Sequence, residues 1–226
     1  MKREDKAYSL GPYSKIRGEE QWIRLTEGCP HNCPWCREPT EFKVFDIPKI
    51  ERNRVGVMDM NLLAKPESLQ LIKDLGQITV KGKVVYYKMI CGVDYRFLTQ
   101  ENALALKKSR FRCPHIAWDN HLDQQWKIKA ALDTLEAVGW KKHEMMVFMI
   151  ANHPLISFKE TMRKFLCCVR WGVQVDFCVY DNQIKSPWIS IGWTEDEITQ
   201  AQWLEHRCNK IVRYGSFDPE VKDEKS

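Results

Sequence analysis

Three cysteines lie close together in the segment 28–36, which reads GCPHNCPWC. Cys29, Cys33 and Cys36 form a C-x3-C-x2-C pattern, and thiolates in such a cluster select soft or borderline metal centres. A four-coordinate centre needs one donor more than these three thiolates supply. The segment therefore predicts a metal site whose last position is filled by a different kind of ligand.

Two kinds of site fit this pattern. Structural zinc is closed by four protein ligands, and His31 between the first two cysteines could complete a Cys3His site. An iron-sulfur cluster held by three cysteines instead leaves one iron open to a small molecule. The remaining histidines show no helical H-x3-H spacing that would indicate a second metal site.

The cysteine motif, with the aromatic Trp35 just before its third cysteine, resembles the cluster signature of the radical S-adenosylmethionine (radical SAM) enzymes. The resemblance favours iron-sulfur over zinc and implies that Cys29, Cys33 and Cys36 hold a [4Fe-4S] cluster. It implies that the amino and carboxylate groups of S-adenosylmethionine chelate the fourth iron. One electron would then cleave the sulfonium to a 5′-deoxyadenosyl radical, which abstracts hydrogen from a substrate.

The partners implied by the resemblance are S-adenosylmethionine, an electron donor such as flavodoxin or ferredoxin, and a substrate that the sequence does not identify. A hypothesis of another class is a zinc-stabilised nucleic-acid-binding protein that uses the cysteine loop, His31 and a basic surface. A family member that binds the cluster without catalysis is a third, weaker alternative, because all three cysteines are present.

Composition places the chain among globular proteins of a reducing compartment. Its 226 residues and 44% hydrophobic content suit one sizeable core, and no apolar run approaches the roughly 20 residues of a membrane span. The start, MKREDKAYSL, has no following apolar segment, so it is not expected to be a secretory signal. Nine cysteines, an odd number, fit thiols and a cluster better than disulfides, so we expect a cytoplasmic protein.

The basic balance of the chain bears on the substrate. A net charge of +5 and a pI near 8.7 would suit an anionic ligand, so a nucleotide or nucleic acid is the first substrate class to consider. Basic residues are nevertheless spread among acidic neighbours, which favours a mixed solvated surface over a dedicated nucleic-acid stripe. A peptide or another small metabolite is the second substrate class.

Strand-like and helix-like segments alternate through most of the chain. Helix signals include Pro66 at a first helical position with Gly76 just past the end, and capping boxes that begin at Ser157 and Thr194. The apolar side chains Leu122, Trp126, Leu132, Leu135 and Val138 share one helical face. The predicted strands are 22–25, 55–60, 84–90, 113–118, 145–150 and 173–180, and the predicted helices are 66–75, 99–108, about 122–138, 157–171 and 194–213.

This alternation predicts an α/β protein with a parallel sheet, right-handed crossovers and helices on its outside. A doubly wound sheet would share the pattern. The resemblance to radical SAM enzymes implies a partial (β/α)6 barrel with parallel strands and outer helices. We expect an irregular N-terminal arm over 1–20, a core domain over 21–193, and a C-terminal helix and tail over 194–226 that pack on the core; 37–54 gives no clear element.

Polar residues follow the predicted strands, where loops carry the chemistry of such folds. The resemblance implies that ligand contacts come from Trp35, Asp59, Asn61, Asp94, Arg96 and Asp119. Asp59 would bind a ligand ammonium or cap the following helix, and Asp94 and Arg96 would contact the ribose or carboxylate or pair with each other.

Three further strand-end features complete the sequence prediction. His153 after the fifth strand is a candidate proton donor, and 180–183 after the sixth strand adds polar groups. The six cysteines outside the motif are expected to be small buried hydrophobic residues. Cys91 and Cys178, which lie near strand ends, are also candidates for thiols on the substrate side of the site.

Overall fold

The computed structural model describes residues 11–31, 33, 36, 38–152, 155–179 and 193–215, and strands and helices alternate through most of them. The strands are β1 (Tyr13–Arg17), β2 (Glu20–Arg24), β3 (Thr26–Glu27), β4 (Lys43–Val44), β5 (Arg54–Val57), β6 (Thr79–Val80), β7 (Lys83–Val84), β8 (Tyr86–Met89), β9 (His115–Ala117), β10 (Met146–Ala151) and β11 (Gln174–Val179). The helices are α1 (Ser68–Gln77), α2 (Gln100–Lys108), α3 (Gln125–Ala137), α4 (Phe158–Trp171) and α5 (Glu195–Tyr214).

The longer strands form two sheets, with the orders β1-β2-β5-β8 and β9-β10-β11. Single parallel bridges between Tyr87 and Phe111 and between Val93 and Ile116 join the two sheets. From β2 onward every pairing in these sheets is parallel, and spatial neighbours are also sequence neighbours. This order requires a crossover in the same direction after each strand, which confirms the predicted α/β class with parallel strands. Among the described residues β11 does not pair with β1 or β2, so the sheet is open.

The N-terminal segment differs from the prediction. The sequence suggests an irregular arm, but β1 pairs antiparallel with β2 along its whole length. Four of its five residues are exposed, so β1 lacks the one-sided apolar alternation by which a strand is recognised. Within 38–53, all of which the structure describes, the only regular element is β4, which pairs antiparallel with β3. A structural strand thus extends the sheet beyond the predicted boundary at residue 21.

The helix caps read from the sequence are largely confirmed. Thr99, Ser157 and Thr194 accept hydrogen bonds from backbone amides at the starts of α2, α4 and α5. Gly172 ends α4 in the left-handed conformation with φ +71°.

Gly76 was expected just past the end of the first helix, but it lies inside α1. A Cβ atom at Gly76 would approach Ser109 Oγ to 2.6 Å, so this glycine allows the end of α2 to approach α1 closely.

The predicted apolar face of the third helix is partly wrong. Trp126 is 65% exposed, and the positions of α3 that are buried are Ile128, Ala131, Leu132 and Leu135. The helix begins at Gln125, after a short 3-10 turn that contains Leu122. The side chains that face the core therefore differ from those predicted for a helix that begins at residue 122. None of the helices in the described part of the chain is long and apolar enough to cross a membrane.

The sheet has two unlike faces because alternate residues of a strand point to opposite sides. The side chains of Ile23, Val57 and Tyr87 belong to the hydrophobic core. The opposite side of the sheet carries four residues that are cross-strand neighbours: Lys15, Trp22, Gly56 and Lys88.

Candidate functional site

The cysteine loop, defined here as 28–38, follows β3 at the carboxyl end of the parallel strands. It begins at Gly28, whose φ is +97°. A Cβ atom at this position would lie 2.1 Å from the carbonyl oxygen of Glu41, so only glycine allows the two segments to pass each other. The amide of Cys29 donates to the carbonyl of Pro39 at 2.8 Å and closes the base of the loop.

A buried ion pair fixes both ends of the cysteine loop. Arg24 Nη2 donates to the two carboxylate oxygens of Glu38 at 2.7 and 2.9 Å, and the amide of Gly28 donates to Oε1 at 2.7 Å. Both charged side chains are almost fully buried. Arg24 Nε also donates to the carbonyl of Thr26. A charge pair taken out of water stabilises only with further hydrogen bonds, and Gly28 and Thr26 supply such bonds here.

Asp59 lies under the same loop, fully buried after β5. Its carboxylate accepts from the amide of Leu25 at 3.1 Å, the amide of Thr26 at 2.5 Å and the Thr26 hydroxyl at 2.6 Å. Burial raises the pKa of this carboxyl, although these hydrogen bonds act in the opposite direction. The contacts make Asp59 a clamp between β5 and the start of the loop, and they are neither a helix cap nor a ligand contact. Its predicted role as a ligand for S-adenosylmethionine stays a prediction.

Asn61 and Lys65 also follow β5, and they connect this part of the chain to the cysteine loop. Asn61 Nδ2 lies 3.4 Å from Cys29 Sγ and donates to Asp94 Oδ2 at 2.9 Å. The buried ammonium of Lys65 donates to the carbonyls of Gly28 and Asn61. Burial lowers the pKa of Lys65, and the Cys29 sulfur acts against that shift. The Lys65 ammonium thus lies beside the first sulfur of the motif.

Asp94 is the common acceptor at the third strand end. It binds Arg96 through Nε at 2.7 Å and Nη2 at 2.9 Å, and His31 Nε2 lies 2.9 Å from Oδ2. Burial alone would raise the pKa of the Asp94 carboxyl, but the Arg96 bonds outweigh it and the pKa is lowered. The His31 ring also contacts Phe97, with 5.6 Å between ring centroids. Asp94 and Arg96 thus pair with each other, which was the alternative to ligand contacts, and their predicted role as ligand-binding residues stays a prediction.

Asp119 follows β9 and contributes a different feature. Among the described residues its buried Oδ1 has no hydrogen-bond partner. Burial raises the pKa of Asp119 to about 6, although Lys164 and Arg96 act in the opposite direction. Lys164 is 2% exposed and donates to the carbonyl of Trp118 at 3.3 Å, and burial lowers its pKa to about 8. Asp119 thus offers an open acceptor beside a buried cation.

A cleft of about 350 Å³ opens between the third and fourth strand ends, within the size range of small-molecule sites. It extends from Arg96 toward the loop that follows Asp119. Its lining is mostly polar and consists of Tyr95, Arg96, Asn120, His121, Asp123, Gln124 and Lys127.

No protein-family model and no curated protein matches this sequence. Solved structures do match, among them the radical S-adenosylmethionine methyltransferase TsrM from Kitasatospora setae with cobalamin and a [4Fe-4S] cluster bound. The fold resembles that of a radical SAM enzyme. The TM-score is 0.54 at 10% sequence identity, over 70% of this chain and 36% of that chain. This chain therefore spans about a third of the length of the methyltransferase, and at such low identity the likeness concerns the fold alone.

Three cysteine sulfurs are the kind of donor that an iron-sulfur cluster takes. Burial, together with the nearby sulfurs of Cys36 and Cys29, raises the pKa of Cys33 to about 11, because thiolates this close repel one another until a metal neutralises them. Within the described part of the chain no three His, Cys, Asp or Glu side chains are grouped so as to hold a single metal ion. The Nε2 atom of His31, the fourth zinc ligand of the alternative hypothesis, lies 2.9 Å from Asp94 Oδ2.

The structure brings four of the six predicted ligand-binding residues around the cysteine loop: Asn61, Asp94, Arg96 and Asp119. Asp59 lies beneath the loop, while Trp35 and His153 are outside the described residues, as is the polar segment 180–183. Sequence reasoning missed five buried charged residues: Arg24, Glu27, Glu38, Lys65 and Lys164. The signal available for Arg24 was a charged residue within an apolar segment. Such a position indicates a buried charge, and a buried charge is expected to have a partner.

Proposed function

We propose that this protein is a radical SAM enzyme built on a partial (β/α)6 barrel. The main observation that supports this proposal is the C-x3-C-x2-C loop at the carboxyl end of the first parallel strand, with residues from three later strand ends near it. Loops at this end of parallel strands carry the chemistry of such folds. The fold likeness to a radical SAM methyltransferase supports the same conclusion.

Cys29, Cys33 and Cys36 would hold a [4Fe-4S] cluster. When bound and reduced, this group supplies the electron that cleaves S-adenosylmethionine into methionine and a 5′-deoxyadenosyl radical able to take hydrogen from a substrate. The chain's own part is to bury the loop, because a water-excluded site protects reactive species and strengthens every charge interaction. Cys29 is 8% exposed, and Lys65 holds the backbone of Gly28 beside it.

The groups around the loop complement the charged end of S-adenosylmethionine. Within the described residues, Asn61 Oδ1 and Asp119 Oδ1 are buried acceptors without partners, and a buried acceptor is costly until a donor reaches it. The ammonium and ribose hydroxyls of the ligand are such donors. Arg96 uses two of its five N–H groups on Asp94 and has others with which to bind the ligand carboxylate. Asp94 would orient Arg96 and Asn61 together.

The remaining partners follow from this chemistry. A cluster that supplies one electron to cleave S-adenosylmethionine must first be reduced by a one-electron donor, for which flavodoxin or ferredoxin is the class to test. The cleft of about 350 Å³ beside Arg96 offers room for part of the small-molecule ligand.

The direct test is anaerobic reconstitution with iron and sulfide, reduction with dithionite, and detection of 5′-deoxyadenosine from S-adenosylmethionine by mass spectrometry. Replacing Cys29, Cys33 or Cys36 with Ala should remove most of the iron and the product. Cys113→Ala is the matched control, because Cys113 is an exposed cysteine outside the motif.

The outcomes separate the hypotheses. A brown protein that forms 5′-deoxyadenosine and loses it in each motif variant supports the proposal. A colourless protein that retains zinc in the wild type, or full iron retention in a motif variant, contradicts it and favours the zinc-stabilised alternative.

A further inference from the structure

One face of the sheet β1-β2-β5-β8 carries cationic and aromatic side chains in register. Lys15 pairs with Trp22, Arg17 with Glu20, and Arg54 with Tyr86. Because residues two apart in a strand share a face, these side chains and that of Lys88 lie on the same side. The cationic sheet face is defined by Lys15, Arg17, Trp22, Arg54, Tyr86 and Lys88.

Exposure and charge distinguish this face from the rest of the sheet. Its four cationic side chains are all exposed, whereas Val55, Val57 and Tyr87 on the reverse side are buried. The acidic residue between them, Glu20, accepts from the indole nitrogen of Trp22 at 3.4 Å. Positive charge therefore accumulates on one exposed surface, although the sequence as a whole mixes the two signs.

The two aromatic rings of the face each carry a stacked guanidinium. Arg17 Cζ lies 4.7 Å from the ring centroid of Trp22, and Arg112 Cζ lies 4.6 Å from that of Tyr86. Strand spacing and rise put these two rings about 12 Å apart, far enough for each to receive its own base. Aromatic and guanidinium planes are the surfaces on which unpaired bases stack, while neighbouring cations neutralise phosphates.

The positive region has a boundary on the same side of the sheet. Lys88 lies within electrostatic reach of His115 and of Asp176 on β11. Asp176 in turn lies near Glu205 of α5, so the side chains next to Lys88 on this side include two carboxylates.

We propose that the cationic sheet face binds single-stranded nucleic acid, with bases on Trp22 and Tyr86 and phosphates on the lysines and arginines. An acidic peptide could use the charges but would gain little from the ring faces, whereas every base has a face that stacks. The same strands lead to the cysteine loop, so a bound strand could present a nucleotide there. That link to catalysis rests on the proposed function, whereas the binding itself requires neither cluster nor S-adenosylmethionine.

The test measures fluorescence anisotropy of a labelled 12-nucleotide RNA and its DNA equivalent with the full chain, without iron. Trp22→Ala should weaken binding about 5- to 150-fold, whereas Trp22→Phe should retain most of it. Arg54→Gln and Lys88→Gln should each flatten the slope of log affinity against log salt by about 0.7. These two exposed positions keep the test valid if Trp22→Ala fails to fold.

Matched controls lie on α5, where Arg207 stacks on the exposed Trp203 at 4.4 Å. Trp203→Ala and Arg207→Gln remove the same kinds of groups and should leave affinity unchanged. Equal losses in the control variants, no measurable binding, or tighter binding of a polyglutamate peptide would overturn the proposal. Because the assay lacks iron, it can fail while 5′-deoxyadenosine formation succeeds, and the reverse also holds.

Discussion

The carboxylates of Glu38 and Asp59 beneath the cysteine loop and that of Asp119 across from it lie in contrasting environments. Glu38 and Asp59, beneath the loop, have their oxygens bonded to the chain's own amides, hydroxyl and guanidinium. Asp119, on the opposite rim, has an Oδ1 that accepts nothing from the described residues. The Asp119 carboxylate has a backbone hydrogen bond from Ile150, but its second oxygen lacks a donor among the described residues. Buried oxygens that are all bonded support the fold, whereas a buried oxygen without a donor costs stability and suits a ligand. The following variants test this difference.

The largest effect is expected beneath the loop, at the buried ion pair. Glu38→Ala would leave the Arg24 guanidinium buried without its partner and free the amide of Gly28. Urea unfolding should show a loss of about 3–5 kcal/mol in the free energy of unfolding. The control is Glu41→Ala, which removes an exposed carboxylate 3.9 Å from Lys43 and should change stability by less than about 1 kcal/mol. Equal effects of the two variants would contradict the assignment.

Asp59→Ala should come next, with a loss of about 2–4 kcal/mol in the free energy of unfolding. The change leaves the amides of Leu25 and Thr26 buried without an acceptor. Asp74→Ala is the control, because Asp74 accepts only an exposed bond from Gln70. If Asp59→Ala keeps wild-type stability but weakens S-adenosylmethionine binding in calorimetry, Asp59 is a ligand residue and the comparison fails.

On the opposite rim, removing the charge of Asp119 should stabilise the protein at neutral pH. Its pKa is raised to about 6 in the folded state. Its stabilising contribution is therefore complete below about pH 3.8 and is lost as the pH rises through 6. Relative to Asp119→Asn, the metal-free wild type should lose up to about 3 kcal/mol of unfolding free energy between pH 4 and 7. A pH-independent difference between the two proteins would show that Asp119 is paired.

The smallest effect sharpens the assignment of Asp59. Thr26→Val removes the hydroxyl that donates to Oδ1 at 2.6 Å but keeps both amide bonds to the carboxylate. The free energy of unfolding should fall by about 1 kcal/mol, measured in the same urea titrations. A loss as large as that of Asp59→Ala would mean that the hydroxyl, and not the amides, holds the clamp.

The sequence predicts the cysteine loop, the strand and helix alternation and several helix caps, because each depends on residues near one another in the chain. It cannot separate Asp59 from Asp119, since both follow an apolar strand and their partners lie far away in sequence. The same limit applies to Arg24 and Glu38, because they pair only when the cysteine loop folds back and brings Glu38 to the end of β2. β1 was missed because a strand exposed along most of its length lacks a buried face to reveal it.

The order of the strands also has a consequence for synthesis of the chain. Arg24, Glu38, Asp59, Lys65 and Asp94, which support the cysteine loop, all precede residue 97. Each parallel strand pairs with one already made, and domains generally begin to fold from the N-terminal side as the chain emerges. The nascent polypeptide could therefore complete the support of its thiols before β9, β10 and β11 have emerged from the ribosome.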